Sequence, residues 1–207
     1  MPGRIRATSA APPAIADRDA ARQATLAATL DALYPKPVSI VLELGCGHGH
    51  FLAAYATQRP DIQCLGVDLV SHRINLAQRK QKRLKINNLA FFKAEAAETL
   101  AALPTQARLG GIFVLFPDPW PKTRHHRRRL LQTDLLDALA DRANPGAWLA
   151  LRTDDAGFLI WAHGQIERHP AWRITPETPW PFEHPTYFQE IKGPHQSLMA
   201  TQCGKVP

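Results

Sequence analysis

Five short apolar segments alternate with stretches of helical periodicity along most of this 207-residue chain. The apolar segments predict β-strands at 38–44, 62–69, 89–93, 111–116 and 147–152. The segments that follow them predict helices at 49–58, 71–86, 96–103, 128–143 and 155–169, the second of them capped by Ser71. Strands joined by helical crossovers lie parallel, and the helices then cover both faces of the sheet. The sequence therefore predicts an α/β fold.

The two ends of the chain extend this prediction. Residues 1–16 are rich in Ala, Pro and Arg and lack periodicity, so we expect a flexible N-terminal arm. A helix is predicted at 17–33, because Pro35 and Pro37 prevent its continuation. Segments 172–175 and 197–202 predict two more strands, which bring the mostly parallel sheet to seven. Residues 17–207 suffice for one such domain and are too few for two.

The positive charge is concentrated in two segments. The chain has 25 Lys and Arg against 18 Asp and Glu, a net charge of +7. Six cations and no acid lie between His72 and Lys85, and five cations and no acid lie between Lys122 and Arg129. Without these eleven cations the chain has 14 basic and 18 acidic residues, a net charge of −4. Two such blocks predict a polyanionic partner, although each alone also fits a solvated helix face.

Other features of composition exclude several protein classes. No segment approaches the roughly 18 consecutive apolar residues of a membrane span. The N-terminus has no Leu-rich secretory leader, so we expect a cytoplasmic protein. Three cysteines without C-x-x-C spacing predict neither a disulfide framework nor a zinc site, and we expect no metal. The oligomeric state stays open between monomer and homodimer.

A glycine-rich turn follows the first predicted strand. Its sequence is E-L-G-C-G-H-G, from Glu43 to Gly49, and the alternate glycines permit a tight turn and the close approach of a ligand. A dinucleotide site normally has the spacing G-x-G-x-x-G. It binds an anionic pyrophosphate, which Glu43 would repel. S-adenosylmethionine carries an amino group and a sulfonium, which suit an acid. Asp68 ends the second strand, where a carboxylate can accept both ribose hydroxyls. Glu95 follows the third strand and either meets the adenine amino group or simply begins a helix.

A second polar segment follows the fourth strand. Pro117 and Pro119 restrict the backbone on both sides of Asp118, and Trp120 offers a flat surface for a base. The second basic block follows directly. A rigid acid, an aromatic ring and a cluster of cations beside a sulfonium cofactor indicate a nucleic-acid methylation site.

These motifs, in this order, carry a family resemblance. Over about residues 38–202 the chain resembles the bacterial tRNA (guanine-N7-)-methyltransferases, whose most specific element is F-P-D-P-W-x-K followed by R-H-x-x-R-R. The segments R-T-D at 152–154 and T-Y-F-Q at 186–189 also match. The resemblance implies a Rossmann-like class I methyltransferase fold. It also implies S-adenosylmethionine-dependent methylation of N7 of guanine 46 in the tRNA variable loop.

The resemblance also implies residue roles. The cofactor would be held by Glu43, Gly45, Gly47, Asp68, Glu95 and Asp118, and Asp118 would also be catalytic. The substrate guanine would be contacted by Lys122, Asp154, Thr186, Phe188 and Gln189. The tRNA would be contacted by Arg124, Arg127, Arg128 and Arg129. Gln189 departs from the family's usual glutamate, and its amide offers guanine one acceptor oxygen where a carboxylate offers two.

Three alternatives remain at this point. A nicotinamide-dependent oxidoreductase would use the glycine turn but would leave Asp118, Trp120 and the basic blocks unexplained. A methyltransferase acting on an exocyclic base amine normally has two consecutive prolines after its polar residue, whereas one proline lies on each side of Asp118 here. A tRNA-binding paralogue with reduced activity is compatible with Gln189.

Overall fold

The computed structural model describes residues 13–184 and 194–204. Seven strands form one sheet in the order β3-β2-β1-β4-β5-β7-β6. The strands are β1 Val38–Leu44, β2 Gln63–Asp68, β3 Leu89–Lys93, β4 Ala107–Leu115, β5 Ala143–Thr153, β6 Trp172–Ile174 and β7 Gln196–Gln202. The first five are parallel, and β7 runs antiparallel to both β5 and β6. The predicted seven-stranded, mostly parallel sheet is confirmed.

Helices cover both faces of this sheet, as predicted. They are α1 Pro13–Leu33, α2 His50–Gln58, α3 Ser71–Leu84, α4 Ala96–Ala102, α5 Thr133–Arg142 and α6 Ala156–Glu167. Alternate residues of β1 point to opposite faces, so Ile40 and Leu42 join one buried cluster and Val41 joins the other. The first cluster includes residues of α1, α4, α5 and α6. The second includes residues of α2 and α3 and is completed by the aromatic side chains of Trp180 and Phe182.

Three local predictions require correction. The helix predicted at 128–143 begins only at Thr133, as α5, and a separate 3₁₀ helix, Thr123–Arg128, precedes it. Between them Gln132 donates from its side chain to the carbonyls of His126, at 2.7 Å, and Arg129, at 3.2 Å, which takes these carbonyls from a continuous helix. Ser71 does not cap α3, whose N-cap is Val70 without a side-chain hydrogen bond. Finally, α1 includes residues 13–16, and the rest of the predicted arm lies outside the described residues.

The strand predicted at 147–152 begins earlier, at Ala143, so residues 144–146 lie inside β5. Leu109 of β4 pairs with Ala143, whereas Gly111 pairs with Trp148, so β5 carries extra residues at this point. Pro145 cannot donate to the strand ladder, and Gly146 has φ of +80°. Across the described ranges, 13–184 and 194–204, no helix is long and apolar enough to cross a membrane.

Candidate active site

The strand register brings the two polar loops to one edge of the sheet. Leu44, at the end of β1, pairs with Val67 of β2 on one side and Val114 of β4 on the other. The glycine turn, Asp68 and the segment that begins at Phe116 therefore leave the sheet side by side. Because the strand order runs outward in opposite directions from β1 and β4, a crevice forms between their loops. This crevice is the candidate active site.

The three glycines of the turn serve different physical needs. Gly45, Gly47 and Gly49 have φ values of +76°, +54° and +65°, which other residues rarely adopt. A Cβ on Gly45 or Gly47 would meet no atom within 4 Å, so the backbone of this turn faces open space. A Cβ on Gly49 would lie 2.5 Å from Phe91 Cζ. The first two glycines thus leave room for a ligand, and the third permits close packing against β3.

Asp68 fixes the turn and keeps the capacity to bind a ligand. Its Oδ2 accepts a hydrogen bond from Gly47 N at 3.0 Å, and its Oδ1 accepts one from Val70 N at 2.8 Å. The Arg73 guanidinium lies 3.7 Å from Oδ2. Each carboxylate oxygen has two lone pairs, so both oxygens can accept a further bond from a hydroxyl. The side chain is buried except for a small exposed part at the edge of the crevice.

Glu43 is a buried acid that forms no ion pair with any residue of the described ranges. It is 3 % exposed, and its Oε2 has no hydrogen-bond partner within the part of the chain that the structure describes. Burial, and secondarily the negative charge of Asp68, raises the pKa of Glu43 to about 8. An unpaired buried carboxylate is costly, and a cationic ligand group removes that cost. Together with the open glycine turn, this unpaired oxygen fits the amino group and sulfonium of S-adenosylmethionine.

Glu95 lies at the same edge but is used locally. It is exposed and is the N-cap of α4. Its backbone N–H donates to Glu98 Oε2 at 3.2 Å, and Glu98 also contacts Arg22 at 2.6 Å. The structure thus shows the helix-start role that the sequence allowed. A contact of Glu95 with adenine stays a prediction.

The segment that carries Asp118 is held firmly at both ends. Phe116 and Trp120 have φ values of +50° and +43°, a strained backbone for bulky residues that only surrounding contacts can maintain. Phe116 N donates to the carbonyl of Arg152 at 2.7 Å. Arg129 Nε donates to the carbonyl of Pro119 at 2.9 Å. Asp118 itself is exposed at the rim of the crevice, so its carboxylate is presented to a ligand by a rigid backbone.

The structure separates Arg129 from the other cations of its block. Arg129 is 5 % exposed, and its guanidinium lies over the rings of Trp161, at 5.1 Å, and Phe158, at 5.7 Å. Arg129 holds the Asp118 segment in place from a buried position, which disfavours a direct contact with tRNA. A tRNA contact at Arg129 stays a prediction. Lys122, Arg124, Arg127 and Arg128 are exposed.

Trp120 does not present a free ring. The guanidinium of Arg128 lies 5.0 Å from its centroid, and His125 approaches its edge at 5.7 Å. One face of the indole is therefore already covered by a cation. Base stacking on Trp120 requires the opposite face or displacement of Arg128.

Comparison with known proteins agrees with this geometry. A family model described as a putative methyltransferase matches residues 37–199. A tRNA (guanine-N(7)-)-methyltransferase of Rhodospirillum rubrum is 34% identical over 177 residues, which cover 84% of this chain and 68% of that protein. The chain belongs to the tRNA (guanine-N7-)-methyltransferase family. The protein of that name from Treponema pallidum is 34% identical over 180 residues, covering 87% of this chain and 71% of the relative.

A solved structure shows the same fold. A putative methyltransferase from Streptococcus mutans, in complex with SAH, superposes with a TM-score of 0.53 at 11% identity. The match covers 94% of this chain and 99% of that one. The Rossmann-like methyltransferase fold implied by the motifs is confirmed.

The structure of this family member also reveals a polar network that the motifs did not indicate. Arg152, at the end of β5, is 3 % exposed and donates to Glu183 Oε2 at 3.0 Å and Oε1 at 2.9 Å. It also donates to Ser197 Oγ at 3.0 Å and lies 4.0 Å from the centroid of Trp180. The hydrogen bonds from Arg152 lower the pKa of Glu183. Glu183 is 31 residues from Arg152 in sequence, and no spacing rule connects two such positions.

Replacing Glu183 by alanine is expected to destabilise the fold by about 1–3 kcal/mol, because the buried Arg152 guanidinium loses both carboxylate acceptors. For a chain of this size each 1 kcal/mol lowers Tm by about 2–4 °C. Thermal unfolding measures the effect, with Glu177→Ala, another exposed acid of the same loop, as the control. Equal Tm values for the two variants would contradict a structural role of this ion pair.

The remaining predicted residues are placed as follows. Asp154 is exposed and follows the buried Thr153, at the same sheet edge as Asp118. Its neighbour Asp155 caps α6 by accepting from Phe158 N at 2.6 Å. Thr186, Phe188 and Gln189 lie outside the described residues. Within the described ranges, no three His, Cys, Asp or Glu side chains are grouped so that they could hold a metal ion.

Proposed function

We propose that this chain transfers the methyl group of S-adenosylmethionine to N7 of a guanine in tRNA, at position 46 of the variable loop. The observation that carries the proposal is the position of two acids at one edge of the sheet: Glu43, which is buried with its Oε2 unpartnered among the described residues, and Asp118, which lies on a rigid backbone. Glu43 and Asp68 suit the cationic and ribose parts of the cofactor, and Asp118 suits the base. A tRNA substrate also favours action in the cytoplasm.

The cofactor, when bound, supplies a methyl group activated by the positive sulfur. Glu43 provides the negative charge that balances its cationic groups in the buried part of the crevice. Asp68 accepts from the ribose hydroxyls and, through Gly47 N, keeps the turn in its open conformation. Gly45 and Gly47 let the backbone approach closely. Glu95 is placed to extend the pocket beyond Asp68, because Asp68 pairs with Lys93 at the end of β3.

Guanine N7 has a free lone pair at neutral pH, so the chain needs no general base. With S-adenosylmethionine bound, N7 would accept the methyl group that the cofactor supplies, and the guanine would gain a positive charge. Catalysis then depends on holding N7 in line with the methyl group at about 3–3.5 Å. Asp118, in its strained and fixed loop, stabilises the charge that develops on the base.

Recognition of the base and of the RNA involves further residues. Asp154, Thr186, Phe188 and Gln189 contact the guanine in this proposal, and Lys122 contacts the adjoining phosphate. Gln189 replaces the carboxylate that would accept from guanine N1–H and the 2-amino group, so recognition relies more heavily on Asp154. Arg124, Arg127 and Arg128 contact the tRNA backbone.

The deciding experiment is incubation of the purified chain with unmodified tRNA and S-adenosylmethionine, followed by borohydride and aniline cleavage. We expect the tRNA to be cleaved at position 46, because 7-methylguanine makes the RNA backbone labile to this treatment. Methyl transfer without cleavage would indicate an exocyclic amine as the target. Tight tRNA binding without turnover would indicate a non-catalytic paralogue, and binding of a nicotinamide cofactor would indicate the oxidoreductase alternative.

Neutralising Arg124 and Arg127 with glutamine is expected to weaken tRNA binding, because both are exposed and each would contact one phosphate. The slope of log affinity against log salt should decrease in magnitude by about 2. Salt-dependent binding curves measure this slope. Arg129→Gln serves as the comparison. Since Arg129 is buried, it should lower Tm and turnover but leave the salt slope unchanged. A steeper or unaltered slope in the double variant would count against this block as the RNA contact.

A further inference from the structure

The outer face of α3 is strongly basic. His72, Arg79 and Arg83 follow one another at i, i+7 and i+11, so they form one exposed stripe along the helix. The stripe lies opposite Ile74 and Ala77, which are buried against the sheet. Exposed Lys82 and Lys85 flank its C-terminal end.

Among the described residues, no acid balances this face. Arg73 makes an ion pair with Asp68, but within residues 13–184 and 194–204 no ion pair involves Arg79, Lys82, Arg83 or Lys85. Like charges three or four residues apart destabilise a helix by about 0.2–0.5 kcal/mol per pair, and α3 contains Arg79–Arg83 and Arg79–Lys82. The helix dipole explains cations in the last turn, such as Lys82 and Arg83, but not Arg79 in the middle. Helix stability alone therefore does not account for the stripe.

The basic face begins beside the cofactor crevice. Arg73 lies at the rim next to Asp68, and Lys80 Nζ donates to the carbonyl of His48 in the glycine turn at 2.8 Å. Burial, followed by the positive charges of Arg73 and Lys80, lowers the pKa of His48. The positive potential thus extends from the crevice onto α3. Lys80 is hydrogen-bonded to the turn, whereas the side chains of Arg79 and Arg83 are exposed.

The direction of α3 determines what the stripe can reach. The helix starts at the carboxyl edge of the sheet and runs back along β2 and β3 for 14 residues, about 21 Å. Arg79 and Arg83 lie about 12 and 18 Å along the helix from its start at Ser71. They are on the side of the glycine turn opposite to the 3₁₀ helix. A ligand that meets both basic surfaces must be larger than a nucleotide and carry negative charge along its length.

We propose that the exposed face of α3, centred on Arg79 and Arg83, binds phosphates of the tRNA body at a distance from the methylated base. The inference rests on the proposed function. The tRNA backbone is the occupant that complements an unpaired row of cations, because each phosphate neutralised releases a counter-ion. The 3₁₀ helix and α3 bind the RNA on either side of the cofactor crevice. The face of α3 contributes affinity without taking part in the reaction.

The test compares two double variants that each remove two exposed arginines. Arg79→Gln/Arg83→Gln changes the stripe. Arg168→Gln/Arg173→Gln changes the β6 end of the sheet, far from α3. Glutamine keeps helix propensity close to that of arginine. We expect the α3 variant to lose on the order of tenfold in tRNA affinity at 0.1 M salt and about 2 units of salt slope. Its kcat at saturating tRNA and its affinity for S-adenosylmethionine should not change.

Several results would overturn the inference: an unchanged salt slope, an equal loss in the β6-end variant, or a loss of S-adenosylmethionine affinity. Melting curves verify folding. If the double variant unfolds, Arg79→Gln alone, in the middle of the helix, should still lower the slope by about 1. The wild-type cleavage assay distinguishes the two proposals. Absence of 7-methylguanine together with an α3-dependent affinity for tRNA would refute the proposed function and retain the inference.

Discussion

Replacing Asp118 by alanine is expected to lower kcat/KM for tRNA methylation by about a thousandfold while the protein remains folded. The backbone around Asp118 is held by Arg129 and by the carbonyl of Arg152, and the Asp118 side chain is exposed. Its loss therefore removes stabilisation of the positive base without opening a cavity in the core. Losing one fixed electrostatic group of this kind costs about 10²–10³-fold in rate.

The isosteric variant Asp118→Asn separates charge from shape. If the negative charge is what stabilises the developing base cation, asparagine should be nearly as inactive as alanine. Asp134→Ala removes an exposed acid from the first turn of α5 and should retain turnover near the wild-type rate. Single-turnover rates with saturating tRNA report the effect directly. Wild-type turnover in a folded Asp118→Ala protein would refute the role of this residue.

Replacing Glu43 by glutamine is expected to have two large and opposite effects. In the chain without cofactor, burial holds the pKa of Glu43 at about 8, against an ordinary value of 4.5. The folded form therefore binds a proton that the unfolded form has lost, and stability falls as pH rises from about 4.5 to 8. Glutamine removes this loss, which amounts to up to about 5 kcal/mol above pH 8. Without cofactor, the variant should thus be more stable than wild type at pH 8.5.

The same substitution should weaken cofactor binding. A cationic ligand lowers the pKa of Glu43, so binding of S-adenosylmethionine at pH 7 should release close to one proton. The wild-type affinity should rise with pH up to about 8. At pH 8.5, Glu43→Gln should bind about a hundredfold more weakly, because a buried charge pair is lost. Burial also raises the pKa of the neighbouring thiols of Cys46 and Cys64, that of Cys64 to about 12. Both thiols therefore remain neutral up to pH 8.5.

Calorimetry in buffers of different ionisation enthalpy measures the released proton. Glu177→Gln, an exposed acid away from the crevice, is the matched control and should leave both the affinity and the proton count unchanged. An affinity for S-adenosylmethionine that does not depend on pH between 6 and 8 would contradict a role for ionised Glu43. Retention of that affinity in the glutamine variant would contradict it as well.

Much of the fold followed from local features of the sequence. The apolar segments of β1 and β3 have the observed bounds, because a strand buried on both faces is a continuous run of apolar residues. The glycine turn was also predictable, since its positive φ values are a property of single residues. Errors occurred where a side chain competed locally with the helix. Gln132 is the example, because its amide ends the 3₁₀ segment before α5 begins.

The sequence by itself determined which loop follows each strand and which acidic side chains those loops carry. It placed Glu43, Asp68 and Asp118 at one edge because parallel strands bring their carboxyl ends together. It could not distinguish Arg129 from Arg127 and Arg128, since three adjacent arginines have the same charge and differ only in burial.

Burial and long-range pairing were decided by the tertiary structure alone. Packing of Arg129 against α6 turned one cation of a basic block into a support for the Asp118 segment. The pairing of Arg152 with Glu183 and the unpaired oxygen of Glu43 likewise depend on elements far apart in the chain. The physical reason is the same in each case. The free energy of a charged group depends on its distance from water and from its counter-charge, and only the folded chain sets those distances.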